Sequence, residues 1–188
     1  RNPATGIKNI WNGSRKNNIW TPTQIEILRQ KAPEPIIRAM LLAFYTGQRQ
    51  GDLLRLKWSD YDGIYIRIKQ SKGGKRVKVK VHTNLKICLD NLDKTSIRIL
   101  TNTRGKPWTQ SGFKSSWRKA CKAAGIEGVT FHDLRGTFIT ERAKEGSTAP
   151  QIASISGHSL NEVNRTLENH YLAEDQQTSD AVILRMEK

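Results

Sequence analysis

The sequence predicts a mainly α-helical domain carrying one small antiparallel β element, either a hairpin or a three-stranded sheet. Apolar residues recur at helical spacing behind cap signals along most of the chain. Two neighbouring runs, "GIYIRIKQ" and "KRVKVKV", instead alternate apolar and polar residues with the period of a half-buried strand. The "SKGG" between them is a run of turn formers, so the two strands form a hairpin. At 188 residues the chain is long enough for one ordinary domain with a real core.

Residues 1–19, which include "RNPATGIKNIWNGSRKNN", show neither period and read as a linker, leaving residues 20–188 as the domain. Thr21 as N-cap, Pro22 at the first helical position and Gln24 three residues after the cap start a helix that runs to about Lys31. Pro33 and Pro35 reset the chain, and "IIRAMLLAFYTG" then reads as a buried helix stopped by Gly47. Leu53, Leu54 and Leu56 mark a short helix, and "SDYDG" is a turn. In the strands, Ile64, Ile66, Ile68, Val77, Val79 and Val81 alternate with Tyr65, Arg67, Lys69, Lys78 and Lys80. A helix is expected over about 84–92, a short strand at "SIRIL" and a loop at "NTRGKPW". Helices follow over about 109–124, 132–145, 148–155 and 161–170, the first two ended by Gly125 and Gly146. "SDAVILRMEK" can add one or two amphipathic turns.

Lys and Arg number 32 against 17 Asp and Glu, a formal charge of +15, which attracts polyanions. Cys88 and Cys121 lie in helical segments without a CxxC or a histidine at ligand spacing, so neither a zinc site nor a disulfide framework is indicated and a reducing compartment fits. No apolar run approaches the roughly 20 residues that span a bilayer, and no signal-peptide pattern opens the chain. The expectation is a soluble, intracellular protein.

Several residues place a cation or polar group beside a tight turn or a helix start. Arg49 follows the glycine stop in "TGQRQGDLL", and its ordinary structural alternative is an ion pair with Asp52 one turn on. In "FHDLRG", His132 and Arg135 stand three apart in what reads as the first turn of a helix, so one face can offer an imidazole and a guanidinium to one phosphate. The alternative is a satisfied core histidine and a surface arginine. His158 in "ISGHS", Lys72 at the hairpin tip and Tyr171 in "ENHYLAED" each have a bland reading too: a solvated loop histidine, a solvated cation and a half-buried tyrosine. Together the set can attack a phosphodiester without a metal: guanidiniums neutralise non-bridging oxygens, a hydroxyl is the nucleophile and an acid protonates the leaving oxygen.

In order and motif, "TGQRQGDLLRL", "QSKGGK", "HDLRGTFIT", "SGHS" and "HYLAED" resemble the catalytic domain of tyrosine recombinases, the phage-integrase family. The resemblance covers nearly everything after about residue 20. It implies that Arg49 and Arg135 clamp the scissile phosphate, that His158 hydrogen-bonds a non-bridging oxygen and that His132 assists proton transfer or orients the site. Lys72 matches the hairpin lysine of the family, the general acid, with Lys75 as the other candidate beside the same glycines. Tyr171 would be the nucleophile, giving a 3′-phosphotyrosyl intermediate, although it follows His158 by 13 residues where many members have about nine. Asp52 matches a usual acidic position and reads as an orienter rather than a base.

The resemblance further implies a site-specific DNA recombinase or integrase of a bacterium or phage, acting in the cytoplasm at the nucleoid. It would work on double-stranded DNA without metal, ATP or small-molecule cofactor, with no membrane role. A core-binding domain would precede the linker. A homotetramer would form on DNA through the C-terminal tail, where Ala181, Val182, Ile183 and Leu184 can dock on a neighbour or on the chain's own core. Two other readings stand beside it: a type IB topoisomerase-like relaxing enzyme and a DNA-binding relative that does not cleave.

Overall fold

The computed structural model describes residues 18–170. Within them the order is α1 (Pro22–Lys31), α2 (Glu34–Thr46), α3 (Gln50–Leu53), β1 (Tyr65–Lys69), β2 (Arg76–Lys80), α4 (Thr83–Asp90), α5 (Gln110–Ala123), α6 (Leu134–Lys144), α7 (Ala149–Ser156) and α8 (Leu160–His170). The fold is mostly helical with one small antiparallel sheet, as the sequence predicts. Short 3₁₀ turns at Trp58–Asp60 and Phe131–Asp133 precede β1 and α6.

Local chemistry sets the helix ends. Thr21 Oγ1 accepts from the Gln24 amide (3.1 Å) and Gln24 Oε1 accepts from the Thr21 amide (3.0 Å), closing a capping box at α1. α2 stops at Gly47, whose φ of +64° and position 2.6 Å from the Phe138 ring, measured from where a Cβ would stand, admit only glycine. Ser159 and Glu162 bond reciprocally at the start of α8, at 2.9 and 3.2 Å.

In the hairpin, Ile66 pairs with Val79 and Ile68 with Val77, and these four side chains are buried. Each stabilises by roughly 1.5–3 kcal/mol relative to exposure. The opposite face carries Tyr65, Arg67, Lys69, Arg76, Lys78 and Lys80, with the Lys78 ammonium 4.0 Å over the Tyr65 ring.

The larger core packs α1 to α5 and the inner face of the hairpin around Leu28, Met40, Leu42, Leu53, Phe113 and Phe131. A second cluster, with Phe138, Ile139, Ile152 and Val163, joins α6, α7 and α8. α6 packs on both α2 and α8 and so links the two. Trp20 ties the start of the domain to this helix: its amide donates to Thr137 Oγ1 (2.8 Å) and its indole N–H to the Thr130 carbonyl (2.8 Å).

Of the two forms expected for the β element, the hairpin is found: among the described residues the sheet has two strands. Three expectations are corrected. "SIRIL" is no strand: Arg98 makes an isolated bridge to Lys57 and Ile97 is exposed. Ile64, expected on the apolar face, is 57% exposed, because it lies in the turn where Asp62 Oδ1 accepts its amide (3.0 Å), before the strand begins. The helix expected from 132 begins at Leu134, since the Asp133 carboxylate turns back to the amide (2.7 Å) and hydroxyl (2.8 Å) of Thr130 and tightens that turn. The tail with "SDAVILRMEK", nearly all of the expected linker and Tyr171 lie outside the described residues.

Candidate active site

Three sequence-distant segments converge on Arg135. Arg49 is the N-cap residue of α3, just past the glycine stop. Arg135 lies in the first turn of α6, 2% exposed, and one guanidinium nitrogen donates to the Gly47 carbonyl, binding the α6 segment to the Arg49 turn. Its other terminal nitrogen lies 2.6 Å from His158 Nε2. His158 follows Gly157, the left-handed glycine (φ +70°) that ends α7.

The tautomer of His158 follows from its partners. A guanidinium only donates, so Nε2 accepts from Arg135. Nδ1 then carries the proton toward Ser156 Oγ at 2.8 Å, and that hydroxyl donates to the Ile152 carbonyl at 2.8 Å. Burial first, then the charge of Arg135, pushes the imidazole down to about 3, so the ring is neutral at physiological pH. Burial, reinforced by Arg49, pushes Arg135 down to about 9, which still leaves it charged. Two cations held together in a desolvated place make a site for an anion.

Arg49 supplies a free donor. Its Nη1 is buried without a hydrogen-bond partner, a costly arrangement unless an acceptor arrives. The structural alternative, an Arg49–Asp52 pair, is not what forms. Asp52, 2% exposed, instead pairs with Arg55 (2.5 Å) and accepts from the Ser71 amide (2.9 Å), which fastens the hairpin base to α3.

The core-histidine, surface-arginine alternative for "FHDLRG" is inverted: Arg135 is buried and His132 is exposed. They do not share one helical face, because His132 belongs to the 3₁₀ turn. His132 is nonetheless near enough for its charge to lower His158. Lys72 and Lys75 are both exposed at the hairpin tip. The charge of Lys72 contributes to holding the Glu162 carboxyl low, after its bonds from Ser159. Tyr171 is the next residue after His170, the last of α8.

Sequence reasoning missed two buried amides that join these segments. Gln70 Nε2 donates to Gln48 Oε1 (2.7 Å) and to the Ser156 carbonyl (2.8 Å). Gln48 Nε2 donates to the carbonyls of Thr46 (3.0 Å) and Ile155 (2.8 Å). A signal was present: the period of two that buries Ile66 and Ile68 also turns Gln70 inward.

The fold is that of a tyrosine recombinase catalytic domain. XerA recombinase matches with a TM-score of 0.71 over 91% of this chain and 65% of its own, at 23% identity, a likeness of fold alone. A lambda integrase tetramer bound to a Holliday junction matches with a TM-score of 0.64 and 28% identity, over 76% of this chain and 47% of that one. The phage integrase family matches residues 21–178, and the chain belongs to that family. The integrase of Escherichia phage lambda is 34% identical over 148 residues, 71% of this chain and 40% of its own length. The chain spans about half or less of the length of such curated relatives.

Proposed function

We propose that this chain is the catalytic domain of a site-specific DNA recombinase of integrase type, which cleaves and rejoins strands through a 3′-phosphotyrosyl intermediate. The observation that carries the reading is the buried, unpartnered Nη1 of Arg49 beside the Arg135–His158 pair. This arrangement suits a phosphodiester, whose two non-bridging oxygens accept from two guanidiniums and gain charge as the phosphorus becomes five-coordinate.

In this reading the Tyr171 hydroxyl gives up its proton, with His132 receiving it, as its oxygen bonds to phosphorus; the bond to the 5′ oxygen breaks, and Lys72 passes a proton to that oxygen. The products are a tyrosyl 3′-phosphate and a 5′ hydroxyl. The ester conserves the energy of the broken bond, so a 5′ hydroxyl of another strand reverses the step without ATP or metal. His158, expected to hydrogen-bond a non-bridging oxygen, here accepts from Arg135 and keeps that guanidinium aimed at the phosphate, and His132 assists proton transfer or orients the site. Asp52 steadies the hairpin that carries Lys72. The cationic outer face of the hairpin supplies phosphate contacts that set register on duplex DNA.

The partner is double-stranded DNA, and recombination of two duplexes implies a homotetramer, built by exchange of the C-terminal tail between protomers. The lambda integrase tetramer on a Holliday junction supports DNA as the partner and a tetramer as the assembly. Residues 1–19 would lead from a core-binding domain, and the protein would work at the nucleoid. Among the described residues no helix is long and apolar enough to cross a membrane. The relaxing-enzyme and non-cleaving readings are not favoured, since the similar proteins are integrases and recombinases.

The test uses the protein at its full natural length, in a metal chelator, with a library of nicked duplexes whose central base pairs are randomised. Adducts stable to detergent are recovered and the trapped duplexes sequenced. Enrichment of one sequence, abolished by Arg135→Ala, is expected. A protein that binds selected duplexes yet traps none would favour the DNA-binding relative.

A further inference from the structure

We infer that Gln70, clasped to Gln48, is a positioning residue that sets the reach of Lys72 toward the scissile phosphate. The inference rests on the proposed role of Lys72 and goes beyond it, because it names what holds that lysine in place.

The tip of the hairpin has little to fix it. Gly73 and Gly74 sit at φ of +84° and +66°, and a Cβ built at either would meet nothing within 4 Å. The direction of Lys72 is therefore set from the base. Two anchors exist there beyond the strand ladder. One is the Ser71 amide on Asp52 (2.9 Å). The other is the Gln70 side chain, 1% exposed, whose two amide hydrogens both reach acceptors, Gln48 Oε1 and the Ser156 carbonyl. The Gln70 amide also donates to the Lys75 carbonyl (2.8 Å) across the base of the tip.

The clasp touches three of the catalytic segments close to their candidate residues. Gln48 precedes Arg49, Gln70 lies two before Lys72, and Ser156 lies two before His158. The carbonyl partners dictate which end of each amide is nitrogen, so neither side chain can flip without facing oxygen to oxygen. Gly157 completes the fit: a Cβ there would lie 2.1 Å from Gln70 Nε2.

Cohesion alone does not ask for amides in this place. An apolar side chain at position 70 would continue the row of Ile66 and Ile68 on the buried face, and exchanging a buried polar set for apolar groups is often nearly neutral. What the amides add is direction. They fix the angle at which the hairpin leaves the core, relative to the turns that carry Arg49 and His158, and a general acid is sensitive to such angles.

The experiment compares single-turnover cleavage of two duplexes of the sequence selected by trapping. One carries the ordinary phosphodiester and the other a bridging sulfur in place of the scissile 5′ oxygen. A thiolate, whose conjugate acid has a pKa of about 8.5, leaves without needing a proton, so the sulfur duplex bypasses the general acid. Wild type, Gln70→Met and Lys72→Ala are measured at full length. General acid catalysis contributes roughly 10²–10⁴-fold, so Gln70→Met is expected to lose about tenfold or more on the oxygen duplex and less than about threefold on the sulfur one. Lys72→Ala should show the same pattern more strongly.

Equal loss by Gln70→Met on both duplexes, or no loss on either, overturns the inference and leaves the role of Lys72 standing. Failure of sulfur to rescue Lys72→Ala overturns the role of Lys72, and the inference falls with it. Should Gln70→Met not fold, Gln70→Glu keeps the shape and removes the donors. The ratio of the two rates within one preparation does not depend on its active fraction.

Discussion

Replacing His158 by glutamine tests how tightly the imidazole is bound into the arginine site. In the folded chain the ring sits at about 3, against 6.5 in the unfolded chain, because burial and Arg135 oppose its charge. Between those values the unfolded chain binds one more proton than the folded one, so stability falls as the pH is lowered from about 6.5 toward 3. At about 1.36 kcal/mol per pH unit the whole window is worth at most ~4.8 kcal/mol, and solvent screening of a half-buried ring cuts this to roughly 2–3 kcal/mol. Glutamine can still accept from Arg135 through Oε1 but does not titrate. Urea unfolding followed by tryptophan fluorescence at about pH 7.5 and pH 4.5 should show wild type losing about 1–2 kcal/mol more than His158→Gln over that interval. Carboxylates and histidines away from the site contribute equally to both proteins and cancel. An identical acid loss in the two would refute the claim that His158 is held neutral against Arg135.

Inorganic phosphate should stabilise the protein through the donor that Arg49 leaves unpaired: at a hundredfold excess over its dissociation constant the gain is about 2.7 kcal/mol. Thermal unfolding with Arg49→Gln should lose most of this gain, and an undiminished shift would place the anion elsewhere. Thr137→Val keeps the shape of the side chain but strips the buried Trp20 amide of its 2.8 Å acceptor, for an expected loss of about 1–3 kcal/mol in denaturant unfolding. Less than about 0.5 kcal/mol would mean that the amide finds another partner. Gly157→Ala and Gly73→Ala separate strain from collision, since both have positive φ but only the first drives a methyl into Gln70. Gly73→Ala should cost about 1–2 kcal/mol and Gly157→Ala at least about 1 kcal/mol more, and equal costs would deny the close packing on Gln70.

Much of this architecture is legible in the sequence where a local rule governs it. Thr21, Pro22 and Gln24 start α1, Gly47 ends α2, and the period of two from Ile66 to Val79 gives the hairpin, because caps and alternation depend on near neighbours. The rule fails where a side chain turns back on the backbone. Asp133 folds onto Thr130 and delays α6, which puts His132 and Arg135 in different environments despite their helical spacing. Asp52 was readable as an acid one turn from Arg49, yet its choice of Arg55 and the Ser71 amide depends on where the hairpin docks. The glutamine clasp spans positions 48, 70 and 156, and no local pattern announces a contact between residues so far apart. The inward phase of Gln70 was its one sign.

The most direct measurement is the mass of the peptide that carries DNA after trapping on the selected nicked duplex, in wild type and in Tyr171→Phe at full length. The account predicts a 3′-phosphate ester on the peptide containing Tyr171 and no adduct in the phenylalanine variant. An ester on any other residue, or an undiminished adduct in Tyr171→Phe, would contradict it.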